Sequence, residues 1–324
     1  MAEKLLTIAI PTWNREAIIM KSLSFLLPQV NDLKSDIQLI VSDNASDDAT
    51  VSVVNQLLQD YPEIDAIFFK QAENTGYYGN FRKCRELSSG KYFWLLSDNE
   101  VILNERLKYI VAELKQAADE GIIYLYNIPG SPLIESRALS FDELFDSRNY
   151  KLTFISACIM LNIKEQDDRI FQEFYGNSFL GYALLLNTRK YSDKAMEITG
   201  EIYQSIPAVV SFNVFKSWTS DIFQCFAFIE KEGLFSKAAV ERMKESILIC
   251  VLKDHIHHYR LYNSYYGKSL GTFTENYSLL NSYYGHIKSF KDIIAIKETS
   301  RLRLQYYFYK KKIGRYLRKR IKFS

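Results

Sequence analysis

KYFWLLSDNEVIL, residues 91–103, decides how this chain of 324 residues reads. Lys91 to Leu96 has the continuous apolar character of a strand covered on both faces. The chain then sets Asp98, Asn99 and Glu100 in a row and returns to Val101, Ile102 and Leu103. Two carboxylates at the end of a core strand need a reason, because a charge beside apolar surface is costly unless it is paired or holds a ligand.

Working outward, the same rhythm fills the first 125 residues or so. LLTIAI (5–10) is a short apolar run stopped by Pro11, and residues 15–29 have helical spacing. DIQLIVSDN (36–44) is a second buried run, after which Ser46 is placed to cap a helix over 47–60. IDAIFFK (64–70) gives a third strand and residues 79–88 a short helix. After the 91–96 strand, Asn104 opens a helix ended by Gly121, and IIYLY (122–126) is a fifth strand. Alternating strands and helices with continuously apolar strands specify an α/β fold, a mostly parallel sheet flanked by helices. From about 130 to 210 the pattern weakens: a loop and a short helix, then a buried strand over 152–162. Beyond about 215 the chain reads as helical.

In such sheets ligands sit outside the carboxyl ends of the strands. The chemistry therefore belongs to four loops: PTWNR, SDNASDD, AENTGYYGN and SDNE. Thr12, Asn14 and Arg15 supply a hydroxyl, an amide and a guanidinium. Asp43 and Asn44 follow the second strand. Asn74-Thr75-Gly76 lets the backbone approach a ligand, and Asn80 and Arg82 follow on a helix whose start favours anions. Asp98 and Glu100 are oxygen ligands suited to a hard divalent cation, which commonly bridges to substrate phosphates.

IAIPTWNRE, IQLIVSDNASDDAT, NTGYYGNFRKC and GKYFWLLSDNE resemble, in order and spacing, the blocks of family 2 glycosyltransferases of the GT-A fold, over roughly residues 5–125. The resemblance implies transfer of a sugar from a nucleotide-diphosphate sugar, usually with inversion and with Mg2+ or Mn2+, in cell-surface polysaccharide assembly. By position, Pro11, Thr12, Asn14 and Arg15 line the nucleotide and Asp43 bonds the base. Asn74, Gly76 and Asn80 shape the loop near the diphosphate. Asp98 and Glu100 stand in place of the family's Asp-x-Asp metal motif, Asp98 being the firmer ligand. A UDP-sugar is the expected donor, and a glycan or polyprenyl-diphosphate-linked molecule the expected acceptor. The family's downstream Glu-Asp pair, source of the general base, has no counterpart in YGNSFLGYAL (175–184). Glu165, Asp167, Asp168 and Glu173 are the nearby acids, with Asp168 and Glu173 carried forward beside Asp98 as catalytic candidates.

The division expected is 1–212 for the GT-A domain and 213–324 for a helical C-terminal region. Apolar residues are 48% and charged ones 24%, an ordinary globular balance. No run reaches the ~18–20 apolar residues of a membrane span, and the N-terminus does not look like a signal peptide. Cys84, Cys158, Cys225 and Cys250 have no metal spacing and are expected to be buried free thiols. His255 and His258, one turn apart, have no nearby further ligand and suit a polar helix face better than a metal. Net charge is +3, but residues 310–322 hold eight Lys/Arg and no acid. With Ile313, Tyr316, Leu317 and Ile321 on one stripe, 309–322 reads as an amphipathic helix for an anionic membrane surface, so a peripheral place on the cytoplasmic membrane face is expected. No aromatic-spaced recognition module accompanies it, so no nucleic-acid partner is expected.

Two other readings differ in class. A non-catalytic GT-A-like module binding a glycan or partner fits the absent Glu-Asp pair. A nucleotidyltransferase needs a glycine-rich loop after the first strand, which PTWNRE lacks.

Overall fold

The computed structural model describes residues 4–117, 119–207, 214–256 and 273–295, in two compact units, Met1–Val210 and Ser211–Ser324. The first unit contains β1 (Leu6–Thr12), β2 (Ile37–Asp43), β3 (Asp65–Lys70), β4 (Tyr92–Leu95), β5 (Glu100–Ile102), β6 (Ile122–Asn127), β7 (Ile134–Ser140), β8 (Cys158–Leu161), β9 (Lys194–Gly200) and β10 (Tyr203–Ser205). Its helices are α1 (Glu16–Asp32), α2 (Thr50–Gln59), α3 (Gly76–Leu87), α4 (Arg106–Gln116), α5 (Phe141–Arg148), α6 (Asp167–Glu173) and α7 (Leu180–Asn187). Eight strands form one sheet in the order β3-β2-β1-β4-β8-β6-β9-β7. β8 runs against β4 and β6, and β7 against β9; the other strands share one direction. β5 and β10 make a separate antiparallel ribbon that pairs Glu100 with Ser205. The expected α/β class, a mostly parallel sheet with flanking helices, is the observed one.

The chain lays β2 and β3 to one side of β1 and then crosses to place β4 on the other. This reversal is the switch point at which open α/β sheets leave a crevice. One sheet face packs on α1, through Ile19, Leu23, Leu26, Leu27 and Val30, and on α4, through Leu107, Ile110, Val111 and Leu114. Those spacings of three and four residues put each set on one helix stripe. Each such side chain contributes roughly 1.5–3 kcal/mol when fully buried. Gly90, which leads into β4, has no room for a side chain: a Cβ would lie 2.6 Å from the Thr7 amide nitrogen.

Several local expectations are corrected. Pro11 does not stop β1, which continues to Thr12. The Ala9 carbonyl accepts from Leu96 N–H, so Pro11, two residues on, faces the side from which β4 has departed at Leu95, and its missing N–H costs no ladder bond. Ser46 is not the helix cap; α2 starts at Thr50 after an uncapped Ala49. Asn104 is not a cap either: α4 follows Glu105 in a left-handed conformation and ends at Gln116, before Gly121. Residues 152–162 are not one strand, because 3₁₀ turns at Asn149–Thr153 and Ile155–Ala157 precede the four-residue β8. The 130–140 segment holds edge strand β7 rather than a loop. Cys84, Cys158 and Cys225 are buried free thiols, and burial pushes Cys84 up to about 12, whereas Cys250 is exposed.

β9 carries a charge into the sheet. Glu197, 2% exposed, accepts from Arg148 and Arg137, and the Arg148 guanidinium lies 4.0 Å from the Tyr126 ring centroid. Burial pushes the Glu197 carboxyl up, but the bonds and charges of Arg148 and Arg137 outweigh it and hold the group below its ordinary value. Glu197→Gln should cost about 3 kcal/mol at neutral pH in urea unfolding, most of it from leaving half-buried Arg148 without its counter-charge. A carboxyl depressed by folding stabilises above its unfolded value, near 4.5, and that contribution fades as pH falls through the folded value. The difference between variant and wild type should therefore shrink in acid.

In the second unit the described helices include Ile222–Glu232, Lys237–Ile247, Phe273–Tyr284 and Lys288–Ala295. Ser236 caps the second of these by accepting from Ala239 N–H at 3.2 Å. Tyr284 donates to the Trp218 carbonyl at 2.6 Å. His258 and the basic stripe at 309–322 lie outside the described residues. Among the described residues no helix is long and apolar enough to cross a membrane.

Candidate active site

β1 and β4 flank the switch point, and their ends are tied together. Thr12 Oγ1 donates to Asp98 Oδ2 at 2.9 Å. The Thr12 carbonyl accepts from Asn44 N–H at 3.0 Å, joining β1 to the turn after β2. Buried Asn80, on α3, reaches back to the Ser42 carbonyl at 3.0 Å and the Thr12 carbonyl at 3.4 Å. The four loops singled out from sequence therefore meet at one rim of the sheet.

The turn after β2 organises its neighbours. Asp43, fully buried, accepts from the backbone N–H of Ser46 at 2.9 Å and from its hydroxyl. Ser46 Oγ in turn accepts from Asn14 N–H at 2.8 Å, and Asn14 Oδ1 accepts from Asp47 N–H at 3.0 Å. Thr50 Oγ1 accepts from Arg15 N–H at 2.9 Å. Asn14 and Ala45 both adopt left-handed backbone, with φ of 50° and 60°. Such conformations persist where surrounding bonds over-determine them, and they gather at binding sites. Ser46 and Thr50 are site-building residues that sequence reading missed; their signal was the dense run of hydroxyls and acids in SDNASDDAT.

Asn44 latches the third loop. Its amide donates to Asn74 Oδ1 at 2.8 Å and to the Gly76 carbonyl at 3.1 Å. Its oxygen accepts from Thr75 N–H at 3.0 Å and Thr75 Oγ1 at 3.1 Å. Gly76 sits at φ +70°, a conformation that favours glycine. Asn44→Ala removes four bonds around a buried site. It should cost about 2 kcal/mol, read as faster limited proteolysis at 74–76 together with a lower urea midpoint.

Asp98 and Glu100 part company. Burial raises the Asp98 carboxyl above its ordinary value, outweighing the Thr12 bond and the charge of Arg15. Its Oδ1 has no hydrogen-bond partner among the described residues. Glu100 is buried on the ribbon, where Ser205 Oγ donates to it at 2.8 Å; burial raises its carboxyl too, against that bond. Asp98 is thus held by β1 and Glu100 by β10. Ser97 N–H donates to Ser156 Oγ at 3.1 Å, and Asn99 exchanges bonds with Ile206, so the turn between the two acids is pinned on both sides.

Among the described residues no three His, Cys, Asp or Glu side chains gather as a ready-made cation cage. One carboxylate with an unengaged oxygen and incompletely balanced charge nevertheless fits a Mg2+-type site, which takes one or two protein carboxylates and fills its shell with water and substrate phosphate.

The four downstream acids lie along α6 or just before it. Asp167 pairs with buried Arg85 at 2.7 Å, Asp168 with Arg82 at 2.9 Å, and Glu165 Oε2 accepts from Tyr191 OH at 3.3 Å. Glu173 closes α6. Tyr78 OH donates to the Phe171 carbonyl, and the Tyr78 and Tyr175 rings meet edge-on at 4.7 Å. α6 therefore runs against α3: Asp168 and Asp167 lie beside its middle and far end, and the end of α6, closed by Glu173, lies toward its start.

A family model described as Glycosyl transferase family 2 matches residues 7–171, half of the chain. The chain belongs to glycosyltransferase family 2. The matched span of this family 2 chain contains β1 to β4 and all four rim loops. It is similar to the GalNAc(5)-diNAcBac-PP-undecaprenol beta-1,3-glucosyltransferase of Campylobacter jejuni, with 28% identity over 207 residues covering 60% of this chain and 63% of the relative. The family 2 chain thus spans less than two thirds of that relative's length. Its fold is similar to that of the mannosyltransferase PcManGT from Pyrobaculum calidifontis in complex with GDP-Man and Mn2+, with a TM-score of 0.54, 13% identity and coverage of 93% and 88% of the two chains. It is also similar to S. aureus TarS 1-349 in complex with UDP-GlcNAc, with a TM-score of 0.51, 13% identity and 78% of each chain covered. The GT-A fold expected from sequence is the one these structures share.

Proposed function

We propose that the protein moves a sugar from a nucleotide-diphosphate sugar to a glycan or lipid-linked acceptor, with inversion and with Mg2+ or Mn2+, in cell-surface polysaccharide assembly. The observation that carries this reading is the Thr12–Asp98 bond across the switch point, with the Asn44 latch beside it. Pro11, Thr12, Asn14, Arg15 and Asp43 line the nucleotide, with the Asp43–Ser46–Asn14 chain fixing the floor on which the base lies. Asn74, Gly76 and Asn80 shape the loop beside the diphosphate. Asp98 would hold the cation, and Glu100, whose Oε2 is bonded to Ser205, would offer its other oxygen as second ligand. When bound, the cation neutralises negative charge building on the leaving diphosphate. Arg15 adds a fixed positive charge close to Asp98.

Among the four downstream acids Glu173 is the proposed base, because α6 carries it toward the start of α3, and Asp168 is the second candidate. Neighbours in complex with UDP-GlcNAc or GDP-Man support a nucleotide-sugar donor, and the Campylobacter relative's undecaprenol-linked name supports a lipid-linked acceptor. The basic stripe at 309–322 would bring the enzyme to the cytoplasmic face of the membrane, where such an acceptor resides.

The test is release of nucleoside diphosphate from a panel of UDP-, GDP-, CDP- and dTDP-sugars with Mn2+ and a prenyl-diphosphate-linked sugar. Turnover of one donor, dependent on acceptor, is expected; no turnover and no nucleotide binding would overturn the reading. Nucleotide binding without turnover on any acceptor would select the second reading, a non-catalytic binding module, which the wholly buried α7 in place of the Glu-Asp pair favours.

A further inference from the structure

Resting on that reading, we propose that the cationic group around Tyr126 is a subsite for a phosphate of the acceptor. Tyr126 is the penultimate residue of β6, whose carboxyl end opens on the same rim as that of β4. Arg148 lies 4.0 Å and the Lys151 ammonium 5.2 Å from its ring centroid. Arg137 lies one pleat deeper on the same face, opposite Glu197 in the β7–β9 register. Arg137 and Arg148 both bond Glu197, and the Arg137 charge also acts on the Glu143 carboxylate. Glu197 satisfies Arg148, but Arg137 is largely exposed, and Lys151 has no acid within ion-pair distance among the described residues. Glu197 and Glu143 balance the two arginines; Lys151 is the cation left over, beside the ring of Tyr126 at the carboxyl end of β6.

Its distance from Asp98 is what ties it to the acceptor. β4 and β6 are separated by β8 alone, and two strand spacings are about 10 Å. The segment from Lys151 to Ser156 bridges that gap, since Ser156 accepts from the Ser97 N–H beside Asp98. In 3₁₀ turns five residues also advance about 10 Å. Phe154, 46% exposed, stands between, its ring 6.4 Å from that of Tyr203. A short sugar segment lying over Phe154 would put its reacting end near Asp98 and its phosphate at Lys151 and Arg137. Charge-assisted bonds from such groups favour phosphate strongly over a neutral hydroxyl.

The experiment uses metal-free buffer with chelator, so that the site at Asp98 does not report. Binding of glucose 1-phosphate, methyl glucoside and farnesyl diphosphate to the full chain is followed by ligand-observed NMR. Glucose 1-phosphate should bind at least about tenfold tighter than methyl glucoside. Lys151→Ala and Arg137→Gln should each erase about tenfold of that preference, while Asp98→Asn leaves it intact. Binding of farnesyl diphosphate, lost in the same two variants, assigns the phosphate to a prenyl carrier. Binding of glucose 1-phosphate alone assigns it to a phosphate within the glycan. Equal binding of the two sugars, or a preference unmoved in both folded variants, overturns the subsite. Nucleoside diphosphate binding with Mn2+, measured on the same samples, reports separately whether the donor reading stands.

Discussion

Asp98→Asn should lower kcat/KM for glycosyl transfer on the order of 10³-fold, about 4 kcal/mol of transition-state stabilisation. The side chain keeps its size and its bond to Thr12, so the loss isolates charge. Without a full negative charge at the end of β4 the cation has no anchor, and the leaving diphosphate departs uncompensated. Stability should move the other way. Burial holds the Asp98 carboxyl above its ordinary value, so its ionised form weakens the fold at neutral pH. A carboxyl raised by folding contributes most when protonated, and that contribution is lost as pH rises through the folded value. The ligand-free variant should therefore melt at or above wild type at pH 7, the difference vanishing in acid. A variant that lost both activity and stability would point to a structural acid.

Glu173→Gln should lower kcat by roughly 10²–10⁴-fold with little change in donor KM, as expected for loss of a general base. Asp168→Asn should cost far less, because its pair with Arg82 places it beside the middle of α3, away from the start of that helix. The ordering comes from the direction of α6 alone: bonds to Arg85 and Arg82 fix its start beside the later part of α3, and Tyr78 and Tyr175 fix its end beside the start. Steady-state kinetics of the two variants side by side distinguish them. Equal, small effects would mean that the proton leaves by another route.

The part of the site built from consecutive residues was legible. An apolar run that stops and turns acidic could be read at Asp98, and the same held for Asp43 and the Asn74-Gly76 loop. What escaped depends on residues distant in sequence. Ser46 looked like a helix cap because a serine before acids usually is one; Asp43 and Asn14 hold it instead. Glu197 sits in β9 as a buried acid, which no local pattern predicts, since its partners Arg137 and Arg148 arrive from β7 and α5. β7 itself, IESRALS, is a half-exposed edge strand following a proline, and its polar alternation reads as loop. Glu100 looked like a twin of Asp98 at two residues' distance, yet the ribbon with β10 gives it Ser205 as partner. That ribbon forms only after a hundred further residues have folded back.

The central claim is that Asp98 and the loops latched to it hold a cation and a nucleoside diphosphate together. A ligand that binds only the native state must stabilise it. The decisive measurement is the melting temperature of wild type and Asp98→Asn with UDP, GDP, CDP or dTDP, each with and without Mn2+. The account predicts that one nucleotide raises the wild-type midpoint only when Mn2+ is present, and that Asp98→Asn abolishes the rise. No shift with any nucleotide, or an equal shift in the variant, would contradict it.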